Sequence, residues 1–253
     1  PHLATVGLIF TGDADFAAIT PNSIGLIVDI VDNDVPGVLV LESDGGSTAS
    51  EGGAGDSYTV RLQSAPTQDV SIAIQADAQL QVAPVVLGFT PANWGTPQTV
   101  SINAVDDALI EGPHAGTVTH TATSLDANYS GIAIAPVTVA LLDNDVAGVT
   151  LLASGGATTV SEGGSGDSFT LQLSAQPASH VSISFDAGTQ LSLAPNPLVI
   201  SSAQWNQPQT VTVTAVDDDI AQGTRTMDVV LGFSGDVDFA ALPAGSVRLA
   251  VTI

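Results

Sequence analysis

A set of landmarks recurs at a fixed spacing of 111 residues, and this spacing limits the fold more than any other feature. Ser50-Glu51-Gly52-Gly53 returns as Ser161-Glu162-Gly163-Gly164, Pro97-Gln98-Thr99-Val100 as Pro208-Gln209-Thr210-Val211, and Trp94 as Trp205. Ala104-Val105-Asp106-Asp107 returns as Ala215-Val216-Asp217-Asp218, and Asp32-Asn33-Asp34 as Asp143-Asn144-Asp145. Self-similarity without insertions marks a chain of like units. The landmarks divide it into a tail of one unit (1–34), a complete unit (35–145) and a second unit (146–253) that stops short of its own Asp-Asn-Asp. A 34-residue tail has room for at most a hairpin, which is marginal alone in water.

Each unit reads as strands. Tyr58, Val60 and Leu62 alternate with Thr59, Arg61 and Gln63, and Phe169, Leu171 and Leu173 repeat the pattern. Val70, Ile72 and Ile74, then Val211 and Val213, then Val229, Leu231 and Phe233 alternate in the same way. A period of two with one apolar face is the signature of a half-buried strand. Gly, Pro, Asn and Asp punctuate these runs, and no stretch holds a helical period. The expected fold is all-β: tandem immunoglobulin-like antiparallel sandwiches of about seven strands per unit.

The charge is one-sided. Three Lys plus Arg against 26 Asp plus Glu give a net charge of −23, and Arg61, Arg225 and Arg248 are the whole cationic complement. Nucleic acid and anionic membrane surfaces need a basic patch, so neither is an expected partner. No apolar run is long enough to span a membrane, so no insertion is expected. Cysteine is absent, which excludes disulfides and thiolate chemistry. Ser57 and Ser168 have no histidine at a spacing that makes a triad, and the chain is not expected to be an enzyme. His2, His114, His120 and His180 share no spacing that suits a metal, and all four read as ordinary packing or surface residues.

The acids instead gather where strand patterns end. In a seven-strand sandwich the segments carrying Glu51, Asp106, Asp107, Glu111, Asp143 and Asp145 share one end of the molecule. Two carboxylates 4 Å apart repel by about 4 kcal/mol at an effective dielectric of about 20, and a divalent cation removes that cost. Oxygen donors without His or Cys select Ca²⁺, with 6–8 oxygens in its shell. Asp56 and Asp167 read as turn caps, and Asp13, Asp15, Asp236 and Asp238 as solvated loop acids. Trp94 and Trp205 read as packing residues rather than a sugar platform.

The ordered set Ser-Glu-Gly-Gly, Trp, Pro-Gln-Thr-Val, Val-Asp-Asp and Asp-Asn-Asp resembles the Calx-beta repeat. That module occurs in the regulatory region of sodium–calcium exchangers and in very large bacterial surface proteins. The resemblance implies a seven-stranded sandwich with calcium at one end. It implies ligand roles for Glu51, Asp106, Asp107, Glu111, Asp143 and Asp145, with Leu109 giving a main-chain carbonyl. In the next unit it implies Glu162, Asp217, Asp218 and Ile220, with Asp219 as an extra acid, and it adds Asp32 and Asp34 from the tail. Three features depart from the family: Gln222 stands at the Glu111 position, Asn33 and Asn144 lie inside the terminal runs, and Asp77 and Asp186 only approach a further loop ligand. Sites with fewer charges, and a weaker second site, are expected. The expected role is a calcium-binding structural or adhesive repeat region of a secreted, bacterial cell-surface protein, with a fibre or filament component as one form of it. Its expected partners are calcium ions, neighbouring repeats or copies, and surface or matrix ligands. The alternatives are a transporter's calcium sensor, an accessory module of a secreted enzyme and a carbohydrate-binding adhesin.

Overall fold

The computed structural model describes residues 2–8, 15 and 25–253. Most of the Asp13 segment therefore lies outside the described residues. The remainder is almost entirely strand. β1 (His2–Gly7) and β2 (Gly25–Ile30) form an antiparallel hairpin in register from His2↔Ile30 to Gly7↔Gly25.

Two sandwiches follow. The first has a sheet of β3 (Val38–Glu42), β5 (Asp56–Leu62), β9 (Gln98–Ala104) and β7 (Leu80–Ala83) in that order. The facing sheet runs β4 (Ser47–Ser50), β11 (Val137–Leu142), β10 (His114–Ser124), β6 (Val70–Ala76) and β8 (Val86–Phe89). Burial follows the pattern read from the sequence. Tyr58, Val60, Leu62, Val70, Ile72 and Ile74 are buried, while Ser71 and Ala73 between them are exposed. Burying each large aliphatic side chain contributes roughly 1.5–3 kcal/mol. The two inner faces close on one apolar cluster, with Trp94 packed partly buried against it.

The second sandwich repeats the plan. β12 (Val149–Ala153), β14 (Asp167–Leu173), β18 (Gln209–Ala215) and β16 (Leu191–Ala194) form one sheet. β13 (Thr158–Thr159), β20 (Arg248–Thr252), β19 (Thr226–Gly235), β15 (Val181–Asp186) and β17 (Leu198–Ile200) form the other. Its core is a separate cluster, and Trp205 packs against it as Trp94 does in the first.

The expected tandem sandwiches hold, but two strand paths in each unit change sheets and so appear as two segments. In the first unit the opening strand breaks between β3 and β4 at Ser43–Gly46. Asp44 there has φ 53° and Gly45 φ 85°, a left-handed turn that pleated pairing cannot continue. Pro84, which has no N–H to donate, separates β7 from β8. Asp56 fastens the first switch. Its carboxylate accepts from the Ser43 hydroxyl, from Thr48 N at 2.9 Å and from Ser57 N at 2.6 Å. The Ser43 bond first, then the two backbone donors, hold its pKa below the ordinary value. Asp167 does the same in the second unit through Ser154, Thr159 and Ser168. Asp236 needs correction. It is 1% exposed, accepts from Ser179 N at 3.0 Å, and caps the short helix Val237–Ala240. A buried carboxylate surrounded by N–H donors is a structural anchor, not a solvated loop acid.

Candidate metal centre

The switch into β4 is what brings Glu51 to the site. β4 pairs with β11 in parallel, with Ser50 opposite Leu142, and Glu51 N donates to Leu142 O at 3.0 Å. The strand end of Glu51 therefore lies beside the segment leaving β11, which carries Asp143, Asn144 and Asp145. Asp106 and Asp107 leave β9, and Glu111 precedes β10. Three stretches of chain, the end of β4, the β9–β10 loop and the segment after β11, thus deliver their acids to one end of the first sandwich.

Each acid has a defined place. Glu51 is 4% exposed. Asp143 is the scaffold: its Oδ2 accepts from Glu111 N and Gly112 N, both at 2.7 Å, and its Oδ1 from Asp145 N at 2.8 Å. The Asn144 side-chain amide donates to Glu51 O at 3.1 Å and to Asp106 Oδ1 at 3.0 Å. Asp107 Oδ1 accepts from Leu109 N at 2.7 Å, turning the loop so that Glu111 faces inward. Gly52, at φ 59°, leaves room for this closure, since a Cβ there would meet Asn144 Nδ2 at 2.9 Å.

The charges strain one another. Burial, then Asp143, Asp107 and Glu111, raise the Glu51 pKa, with His114 opposing. Burial, then Asp143, Asp106 and Asp107, raise that of Asp145. Burial pushes Asp143 up as well, but the three backbone donors and His114 outweigh it and hold it below the ordinary value. Glu51 Oε2 and Asp145 Oδ2 are buried with no hydrogen-bond partner. A buried, unpartnered carboxylate oxygen beside other carboxylates is costly unless a cation meets it. A divalent ion therefore fits this donor set.

Two groups of ligand-type side chains converge among the described residues: Glu51 with Asp143 and Asp145, and Glu51 with Glu111 and His114. The second departs from the sequence reading, which set His114 aside. His114 opens β10 opposite Leu141, and this register turns its ring toward the acids. Its Nε2 lies 3.3 Å from Glu111 Oε2. Gln79 was not singled out either, yet its amide donates to both Glu111 oxygens, at 2.7 and 2.8 Å. One signal lay in the sequence: the residue 111 positions after His114 is Arg225, one of three cations in the chain.

The second unit is arranged differently. Glu162, equivalent to Glu51, pairs with Arg225 at 2.9 Å, and Arg225 also donates to Gln190 Oε1. Asp218 accepts from Ile220 N at 2.8 Å and from Gln190 Nε2 at 3.1 Å, and the Ile220 bond leads in lowering its pKa. Asp217 and Asp219 are exposed, as is Ile220. Gln222 replaces the acid that Glu111 supplies. Asp32 and Asp34 are exposed, with Asp34 N donating to Asp32 Oδ1 at 3.0 Å.

Leu109 reaches the second unit. It forms an isolated parallel bridge with Gln176 of the second unit; Gln176 N donates to Ala108 O at 2.6 Å, and Ile110 packs against the second core. The loop that carries the acids is therefore also the contact between units.

No protein-family model matches the chain, and no curated protein does. Solved structures that match the chain include CBD12 from CALX1.2, at 15% identity and TM-score 0.31 over 76% of this chain and 79% of that one. The calcium binding domain CBD12 of CALX1.1 is 15% identical with TM-score 0.32, covering 77% and 80% of the two chains. The periplasmic chaperone SfaE is 13% identical with TM-score 0.32, covering 85% and 97%. At these values the likeness carries nothing about what this chain binds. Among the described residues no helix is long and apolar enough to cross a membrane.

Proposed function

We propose that the first unit binds Ca²⁺ and that the chain is a calcium-stiffened repeat region with a structural or adhesive task, of Calx-beta type, rather than an enzyme. One observation carries the reading: Glu51 Oε2 and Asp145 Oδ2 are buried and unpartnered in the midst of further carboxylates. Glu51, Asp106, Asp107, Glu111, Asp143 and Asp145 would hold the ion, which neutralises their mutual repulsion. Their oxygens are numerous enough for the 6–8 that calcium takes. The second unit contributes little to binding, because Arg225 already supplies a positive charge to Glu162. The net charge of −23 and the scarcity of cations support a saline, calcium-rich setting outside the cell.

Thermal melting tests this. An ion held at 100 times its dissociation constant adds about 2.7 kcal/mol to the folded state. The first unit should melt several degrees higher in calcium than in chelator. Identical curves at low salt would refute the reading.

A further inference from the structure

We propose that Glu51, Glu111 and His114 form a second, nitrogen-containing subsite for a borderline first-row divalent ion such as Zn²⁺, sharing Glu51 and Glu111 with the calcium site. The inference deepens the calcium reading, since both ions would draw on Glu51 and Glu111. His114 belongs to this subsite alone, and its nitrogen makes a separate test.

The imidazole is set up as a ligand. His114 Nδ1 lies 2.8 Å from Gly112 O, and a carbonyl can only accept, so Nδ1 carries the proton and donates it. In the neutral ring the Nε2 lone pair then faces the carboxylates of Glu51 and Glu111. An ion placed there would meet all three donors at once. Nε2 is buried and makes no hydrogen bond, although Glu111 Oε2 is only 3.3 Å away. Ligands at about 2.05 Å from a tetrahedral ion are roughly 3.3 Å apart. The three donor atoms all lie within 4.8 Å of one another, and Glu51, 4% exposed, turns an unpartnered oxygen into the site. The outer contacts match those of a built centre: a backbone carbonyl fixes the histidine tautomer, and Gln79 holds both oxygens of Glu111.

The second unit offers an internal comparison. At the position of His114 it has Arg225, whose guanidinium bonds Glu162 and Gln190, the equivalents of Glu51 and Gln79. The same niche therefore holds a fixed cation there. In the first unit the residue is one that can bind a cation instead of being one. Imidazole with two carboxylates suits Zn²⁺ better than Ca²⁺, which takes oxygen almost exclusively.

The test uses the whole chain, Zn²⁺ alone in calcium-free buffer, calorimetry and long-range ¹H–¹⁵N spectra of the histidine rings. The expected result is one Zn²⁺ per chain, with the His114 Nε2 signal moving to the metal-bound range while Nδ1 stays protonated. His114→Gln should weaken Zn²⁺ tenfold or more and change Ca²⁺ binding far less, and excess Ca²⁺ should weaken Zn²⁺ in the unaltered chain. A His114 signal unmoved at saturating Zn²⁺ would overturn the proposal. So would a His114→Gln chain that binds Zn²⁺ as before, through His2, His120 or His180, or one that loses both ions alike. Should His114→Gln fail to fold, the spectra of the unaltered chain decide. If Zn²⁺ behaves as expected while Ca²⁺ does not bind, the calcium reading falls and this one stands.

Discussion

Individual side chains at this site differ in ways that separate ligands from scaffolding. Asp107 and Asp143 face Glu51 closely enough to raise its pKa, and Asp143 also ties down Glu111 and Gly112. Asp77 sits apart, accepting from Thr117 N at 2.6 Å and Gln79 N at 3.1 Å. Asp107→Asn and Asp143→Asn should each weaken calcium on the order of tenfold or more in calorimetry, whereas Asp77→Asn should leave it unchanged. Arg225 belongs to the same comparison. The second unit should melt at one temperature with or without calcium, and Arg225→Gln should lower its stability by about 1 kcal/mol, the scale of a partly exposed pair. Scanning calorimetry in chelator reads both. His120 gives a pH signature. Its ring is half-buried, with Tyr58 Oη 2.8 Å from Nε2, and burial lowers its pKa below 6.5, outweighing the opposing pull of the Ala135 backbone. The folded state therefore favours the neutral ring. Its contribution is full above pH 6.5 and is lost as pH falls through the lowered value. In saturating calcium the first unit's Tm should fall between about pH 7 and 5.5. His120→Gln, which keeps a polar partner for Tyr58, should flatten that slope.

Among the elements, the strand switch from β3 to β4 matters most for the site. Asp56→Ala removes the anchor of that switch and should cost about 1.5–3 kcal/mol, as the loss of hydrogen bonds to a charged group does. Because β4 delivers Glu51, calcium affinity should fall with it, although Asp56 touches no candidate ligand; urea unfolding and calcium titration together check this. The strands themselves were legible. Tyr58, Val60 and Leu62, or Val70, Ile72 and Ile74, alternate because one sheet face is buried, and that period is written in the residues. The gathering of Glu51, Asp106 and Asp143 at one end was legible too, since strand ends and turn acids coincide. His114 was not, because its approach depends on β10 pairing with β11 in one register, and a one-residue slip would turn it away. The pairing of Glu162 with Arg225 was hidden for a like reason, as 63 residues separate the partners. The burial of Asp236 escaped notice because a capping aspartate and a solvated one look alike in sequence.

For the whole molecule, the acid-bearing loop and the contact between units are one piece of chain. Ala108, Leu109 and Ile110 meet Gln176 and the second core, immediately before Glu111 turns into the site. An ion that orders residues 106–111 should therefore also hold the two sandwiches at a fixed angle. Small-angle scattering should give a longer, narrower distance distribution in calcium than in chelator; an unchanged maximum dimension after the ion has left would mean the junction is rigid for other reasons. All of this depends on the first unit holding calcium through Glu51. Titration calorimetry of the whole chain beside Glu51→Gln measures that directly. Saturable calcium binding that disappears in Glu51→Gln, with the fold intact, is the result expected. No binding at low salt, or equal isotherms for the two chains, would contradict it.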